Sequence, residues 1–271
     1  MKGFPIRGAA AICNGTHSLA GDPLPPVDDE FIPKNVRRRI SRLIAQALRV
    51  TKDAGGLDAA PDAPLVFATA NGEINTIGAI LPALLAAEPQ VSPTLFHNSV
   101  HNAAPGYWSI LAHRLAASTT ITMGPASFEA AMLEAWTHLH DGEREVQVTV
   151  GDEAITAAPW ADPSHCTRDF CGSLRIARDD DGPLLGWLAS VACVPDGPAP
   201  FDAAALADVL EATEIADDPQ ALPDGAAHPL AGAAAALAFL LRPGAAGRLL
   251  LVRRSPAGGR FVLVIDREAH D

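Results

Sequence analysis

The segment best placed for chemistry in this chain is the junction Thr122-Met123-Gly124-Pro125-Ala126-Ser127, between a run rich in Thr and Ile and a long apolar helix pattern. At such a junction the helix dipole lowers a thiol pKa, and free backbone N–H groups can hold an oxyanion. No cysteine stands there, since Cys13, Cys166, Cys171 and Cys193 all lie elsewhere. Pro125 supplies neither a nucleophile nor a backbone donor. Ser127 could serve an acyl hydrolase or acyltransferase with His97, His101 or His228 as base, or simply help to start the helix. His97 and His101 are four apart, and His165-Cys166 with Cys171 forms a looser group. The Glu of a zinc-peptidase helix and the spacing of a zinc knuckle are both missing, so neither metal nor cofactor is expected.

The elements that must position this junction follow from periodicity. Phe4 to Ile12 reads as a first strand, and Pro23, Pro25 and Pro26 mark a loop. Asn35 to Val50 reads as one amphipathic helix with Arg37, Arg38, Arg39 and Arg42 at its start. Leu65 to Thr69 suits a buried strand and Ile74 to Ala87 a helix. After the strand Ser118 to Met123, residues Phe128, Ala131, Met132, Ala135, Trp136 and Leu139 form a helical stripe, and Val146, Val148 and Val150 alternate as a strand. Strands alternating with helices indicate an α/β fold with a mainly parallel sheet. From Ala154 prolines punctuate a less periodic stretch, read as irregular structure and linkers. Regularity returns with a helix from Pro229 to Leu241 and two apolar runs, Leu249 to Val252 and Phe261 to Ile265.

The run STTITMGPASFEAAMLEAWTHLHDGEREVQVTVGDE resembles the nucleophile strand, helix and Gly-Gly-x-Glu strand end of the β-ketoacyl synthases, with Gly151, Asp152 and Glu153 matching that ending. LVFATANGE and FHNSVHNAAPGYWSI fall in the family's order before it, and AHPLAGAAAALAFLL and PAGGRFVLVI after it. The resemblance implies a thiolase-like fold of α/β/α layers with a truncated second half, residues 1–153 forming the first half and 154–271 the reduced second. It places the family's nucleophilic Cys on Pro125 and a family His on His228, with the expected Lys falling on Pro223 and the preceding Gly on Ala227. No counterpart of the family's His-Thr-Gly-Thr motif is present.

What the resemblance then implies is a subunit without independent activity, a chain-length factor paired with an active ketosynthase in polyketide, aryl polyene or fatty-acid-type elongation. The partner interface would be the strand Ser118, Thr119, Thr120, Ile121, Thr122 and Met123, pairing antiparallel with its counterpart, and Ile121 is expected to sit in that ladder. An acyl carrier protein is the second expected partner. Arg37, Arg38, Arg39 and Arg42 are either a solvated helix face or its landing patch. A net charge of −12 argues against a nucleic-acid surface. Dispersed cysteines fit a reducing compartment, the amino terminus lacks an unbroken apolar core, and no stretch reaches membrane-spanning length, so the cytoplasm is expected.

Overall fold

The computed structural model describes residues 3–15, 18–19, 23, 30–179, 182–197, 200–244 and 246–268. Pro25, Pro26 and Pro198 fall outside the described residues. The first half runs β1 (Phe4–Cys13), α1 (Lys34–Arg37), α2 (Arg42–Asp53), β2 (Leu65–Ala68), α3 (Ile74–Leu84), α4 (Pro93–Asn98), α5 (Ala103–Leu111), β3 (Ser118–Ile121), α6 (Ser127–Asp141), β4 (Glu145–Asp152) and β5 (Phe170–Ala177). The second runs β6 (Gly186–Val194), α7 (Ala203–Val209), β7 (Glu214–Asp217), α8 (Ala231–Leu241), β8 (Gly247–Arg254) and β9 (Arg260–Arg267).

The strands join in one sheet, ordered β3-β2-β4-β5-β1-β6-β9-β8-β7. The order is nearly symmetric about the β1–β6 seam, where only Phe4 to Ile6 pair with Gly186 to Leu188. β5 and β9, β4 and β8, and β2 and β7 occupy matching places on either side. The connections differ. Residues 69–126 carry α3, α4, α5 and β3 between β2 and α6, whereas residues 218–230 join β7 to α8 with no helix or strand of their own.

The sheet wraps around α6 and α8. α6 packs on β2, β3 and β4 of one half and on β6 and β9 of the other, and α8 reaches β1, β5 and β8. The main apolar core is built from these two helices and both halves of the sheet. α8, AGAAAALAFLL, is apolar on every side, as a helix enclosed by the two halves of the sheet and α6 must be. α2 and α5 cover one outer face and α7 the other. Gly232 of α8 lets α6 approach closely, because a Cβ there would collide with Glu129 Oε1.

Three expectations change. The sheet is mixed, not mainly parallel: β2–β3, β2–β4 and β7–β8 pair parallel and the other five pairings are antiparallel, because strands joined without a crossover helix, β4 to β5 and β8 to β9, fold back on one another. The helix read over Asn35 to Val50 is two helices, because Ser41 caps α2 by accepting from Ile44 N at 3.0 Å and also bonds Glu73 Oε1 at 2.6 Å. The stretch after Ala154 is not mainly linker: β5 and β6 lie there, and β5 is buried between β4 and β1. Its Gly172, Ser173 and Arg175 interrupt the hydrophobic run that would reveal a central strand. Gly172 leaves room for Leu237 of α8, whose side chain fills the space of a Cβ and would have to shift to admit one.

Candidate active site

The junction lies where β2, β3 and β4 end and α6 begins, the strand-end position at which α/β sheets carry their sites. Gly124 adopts the left-handed conformation, with φ of 54°, and Pro125 is exposed. Ala126 is the N-cap and Ser127 the first helical residue, so Pro125 precedes the helix instead of occupying its first turn.

Three backbone donors of the turn, those of Met123, Ala126 and Ser127, are already used. Ala126 N–H donates to Met123 O at 3.2 Å and Ser127 N–H to Gly124 O at 3.1 Å. Ser127 is fully buried, and its Oγ accepts from Met123 N at 2.9 Å while facing Gly124 O at 2.7 Å and Thr69 O at 3.0 Å. This hydroxyl ties the turn to the end of β2. It makes no hydrogen bond to a histidine among the described residues, which removes the geometric basis of a Ser-His pair.

Asp152, at the end of β4, anchors the same region by accepting from Thr69 Oγ1 at 2.9 Å, Ala70 N at 2.8 Å and Asn71 N at 2.7 Å. Burial pushes its pKa up to about 6, against those donors. Beyond it lies a group of carboxylates that motif reading did not single out. Burial, and next the charge of Glu73, lift Glu153 to about 7, and burial also raises Glu73. Asp169 accepts from Gln46 Nε2 and Ala154 N, each at 3.0 Å, and pairs with Arg42. Arg42, itself exposed, therefore turns toward this group; Arg38 and Arg39 are exposed as well, and Arg37 is half-buried.

His228 joins from the second half. It is buried, its ring meets Phe170 edge-on at 5.6 Å, and its Nδ1 accepts from Leu230 N at 3.0 Å, which leaves the proton on Nε2. Nε2 is buried without a hydrogen bond of normal geometry. Burial lowers the ring pKa to about 4, opposed by the backbone carbonyl of Asp152, so the imidazole is neutral near pH 7. The four cysteines are free. Burial raises the thiol pKa of Cys13 to about 11 and pushes Cys166 and Cys171 well above the ordinary thiol range, so none of these three is an activated thiol. Among the described residues no group of three or more His, Cys, Asp and Glu side chains could hold a metal ion, and the His97 ring meets Tyr107 edge-on at 5.6 Å.

A family model described as the N-terminal domain of β-ketoacyl synthases matches residues 14–165. The chain belongs to this family. Among solved structures, the ishigamide ketosynthase/chain length factor is 18% identical with a TM-score of 0.72, covering 98% of this chain and 99% of that one. The ketosynthase ApeO in complex with its chain length factor ApeC from Xenorhabdus doucetiae is 21% identical with a TM-score of 0.61, covering 98% and 99%. AntDE:AntF, a type II acyl-carrier protein in complex with its ketosynthase bound to the hexaketide, is 13% identical with a TM-score of 0.73, covering 99% and 100%. The fold is therefore the thiolase-like fold of the ketosynthases. No curated protein matches the sequence.

Of the sequence-derived site residues, the structure gathers Pro125, Ser127 and His228 around the ends of β2 and β4. Ser118 to Ile121 form β3 at the sheet edge, while Thr122 and Met123 lie beyond the strand and belong to the turn. Backbone phase refines the role of Ile121. Leu65 N donates to Ala117 O and Thr69 N to Ile121 O, in a register pairing Leu65 with Ser118. Thr119 and Ile121 thus direct their backbone groups at β2, and Ser118 and Thr120 direct theirs outward. Thr120, not Ile121, carries the free N–H and C=O of the edge.

A further buried pair escaped sequence reading. Arg253 lies 3.5 Å from Glu129 and 3.3 Å from Asp218, and donates to Pro219 O at 2.5 Å. Burial raises Glu129 to about 7 despite Arg253. The sequence signal was slight: two charged positions inside otherwise apolar patterns.

Proposed function

We propose that this chain is a catalytically inactive β-ketoacyl synthase-like subunit, a chain-length factor that pairs with an active ketosynthase in polyketide, aryl polyene or fatty-acid-type elongation. The observation that carries this reading is Pro125, at the place where the family has its nucleophilic Cys. Proline removes the thiol and a backbone donor together, and removing one oxyanion donor alone costs about 10²–10³ in rate. The engaged Ser127 hydroxyl and the neutral, enclosed His228 support the same reading. Residues 1–153 would supply the interface and 154–271 complete the fold.

The partner reading rests on the open edge of β3 and on the likeness to ketosynthase and chain length factor structures. The carrier protein is drawn from AntDE:AntF and from exposed Arg38 and Arg39, which suit an acidic surface. The cytoplasm is the proposed location. No helix among the described residues is long and apolar enough to cross a membrane.

Reconstitution tests the proposal. With an active ketosynthase and acyl carrier protein, full product formation should require this chain, whereas the chain alone should neither take up an acyl group nor decarboxylate malonyl thioester above background. A stable acyl adduct found by mass spectrometry on residues 122–127 would overturn the inactive assignment.

A further inference from the structure

Two buried carboxylates beside the turn, Glu73 and Glu153, have no part in the proposed function. Glu73 is the N-cap of α3, and its carboxylate accepts from Ser41 Oγ at 2.6 Å and from Thr76 Oγ1 at 2.8 Å. Ser41 is itself the N-cap of α2, so this carboxylate stands at two helix amino termini, whose dipoles and hydroxyl donors favour the anion. Glu153 faces it from just beyond β4. The groups around Glu153 are Glu73 and the Asn75 amide from α3, Asp169 and the Cys166 thiol from the segment before β5, and Arg42 from α2, which also pairs with Asp169. With two acids facing it and its cation shared, Glu153 is the member of the pair that keeps a proton.

The segment 154–168 is fastened directly over this pair. Asn75 Nδ2 donates to Ala154 O at 2.8 Å, and Asn75 Oδ1 accepts from Thr156 N at 2.8 Å and Ala157 N at 2.9 Å. A Cβ at Gly78 would collide with Ala157 O, so α3 is shaped to let the segment lie against it. The apolar hold is small: Ile155, Ala158 and Cys166 cluster with Ile74 and Ala161, apart from the main core, and most of the other residues of the segment are exposed. A segment with so few buried apolar contacts opens at lower free energy than the core. Its polar clamp begins at the residue following Glu153, so the charge of that acid acts where the clamp starts.

We propose that Glu73 and Glu153 form a proton-operated latch: protonated Glu153 keeps the segment 154–168 docked on Ile74, Asn75 and Gly78 of α3, and its ionisation beside Glu73 and Asp169 loosens the segment. The device needs no partner and does not rest on the pairing proposed above. In the docked state burial, and next the charge of Glu73, hold Glu153 near 7, against the ordinary 4.5 that it regains when opening admits water. The opening constant therefore climbs with pH from about 4.5 and levels off above about 7.

Hydrogen exchange of the full-length chain tests the latch, each rate being divided by its intrinsic value at the same pH so that it reads the opening constant. The amides of Thr156 and Ala157 should open at least about tenfold more at pH 8 than at pH 5, with no further rise above pH 8. The fluorescence of Trp160, which lies on the segment and is 53% exposed, should follow the same curve, and Trp160→Phe should lose that change. Glu153→Gln should flatten the exchange profile at its pH 5 level. Glu73→Gln should shrink the rise by about threefold or more, because the neighbouring charge is gone. A flat wild-type profile, or a rise that persists in Glu153→Gln, would overturn the proposal. An undiminished rise in Glu73→Gln would remove Glu73 from the latch and overturn it as well, and this variant decides if Glu153→Gln does not fold.

Discussion

The sheet has two ends, and they are finished differently. At β7 the sequence is Glu-Ile-Ala-Asp, with Glu214 held by Arg242 through two bonds of 2.6 and 3.0 Å and Asp217 exposed. At β3 it is Ser-Thr-Thr-Ile, without a charge, beside an apolar helical face. Charges on an edge strand block pairing with a foreign strand, and their absence invites it. One end is closed to partners and the other left open. The connections follow suit: residues 69–126 build an elaborate crossover at the open end, and residues 218–230 a short one at the closed end.

Prolines at the two edges give the strongest contrast. At Thr120, proline should preserve the fold, because that N–H faces outward, yet weaken ketosynthase association by about 3 kcal/mol or more, on the order of 100-fold. On β7, Asp218 N donates to Val252 O, so Ile215 and Asp217 face outward, and Ile215→Pro should leave association unchanged. Equal effects in a co-purification assay would erase the distinction between the ends.

A smaller effect is expected from the carboxylates beneath the elaborate crossover. Glu153 has a folded pKa near 7, above its ordinary 4.5, so the folded state holds the proton more tightly. The resulting stability is fully present below about pH 4.5 and lost as pH rises through 7. Glu153→Gln should remove part of that loss, about 1–2 kcal/mol or a few degrees of Tm between about pH 5.5 and 8. Parallel melting curves for variant and wild type across this range would refute the assignment.

The smallest effect belongs to the short crossover. His228→Ala should keep product formation by the reconstituted pair within about twofold, because the ring is enclosed, whereas a loss of about 10²-fold would show acid-base work. Its folded pKa of about 4 lies below the ordinary 6.5, so its stabilising contribution is lost as pH falls from about 6.5 toward 4. The variant should lose less stability than wild type over that window, as read from thermal melts.

Much of this architecture was legible in the residues. The helix from Ser127, the strand ending at Asp152 and the apolar helix before Leu241 follow from strong local periodicity, and Pro125 needed only an ordered set of motifs. The central strand β5 was hidden because its neighbours bury it: Gly172 yields to Leu237 and Ser173 bonds Thr149, Gln147 and Val148, so tertiary contacts, not local pattern, define it. The carboxylates Glu73, Glu153 and Asp169 come from three separate segments, and no spacing rule could bring them together. The outward phase of Thr120 depended on knowing which neighbour β2 had already claimed.

The contact of Glu129 with Gly232 and Arg253 has an evolutionary consequence. One residue belongs to the first half and the other two to the second: a side chain added at Gly232 would collide with the Glu129 carboxylate, and loss of Arg253 would leave that buried acid without its cation. Positions 129, 232 and 253 should therefore covary across relatives of this chain. An alignment in which the acid disappears while the glycine and arginine persist unchanged would show that the two halves tolerate separate histories.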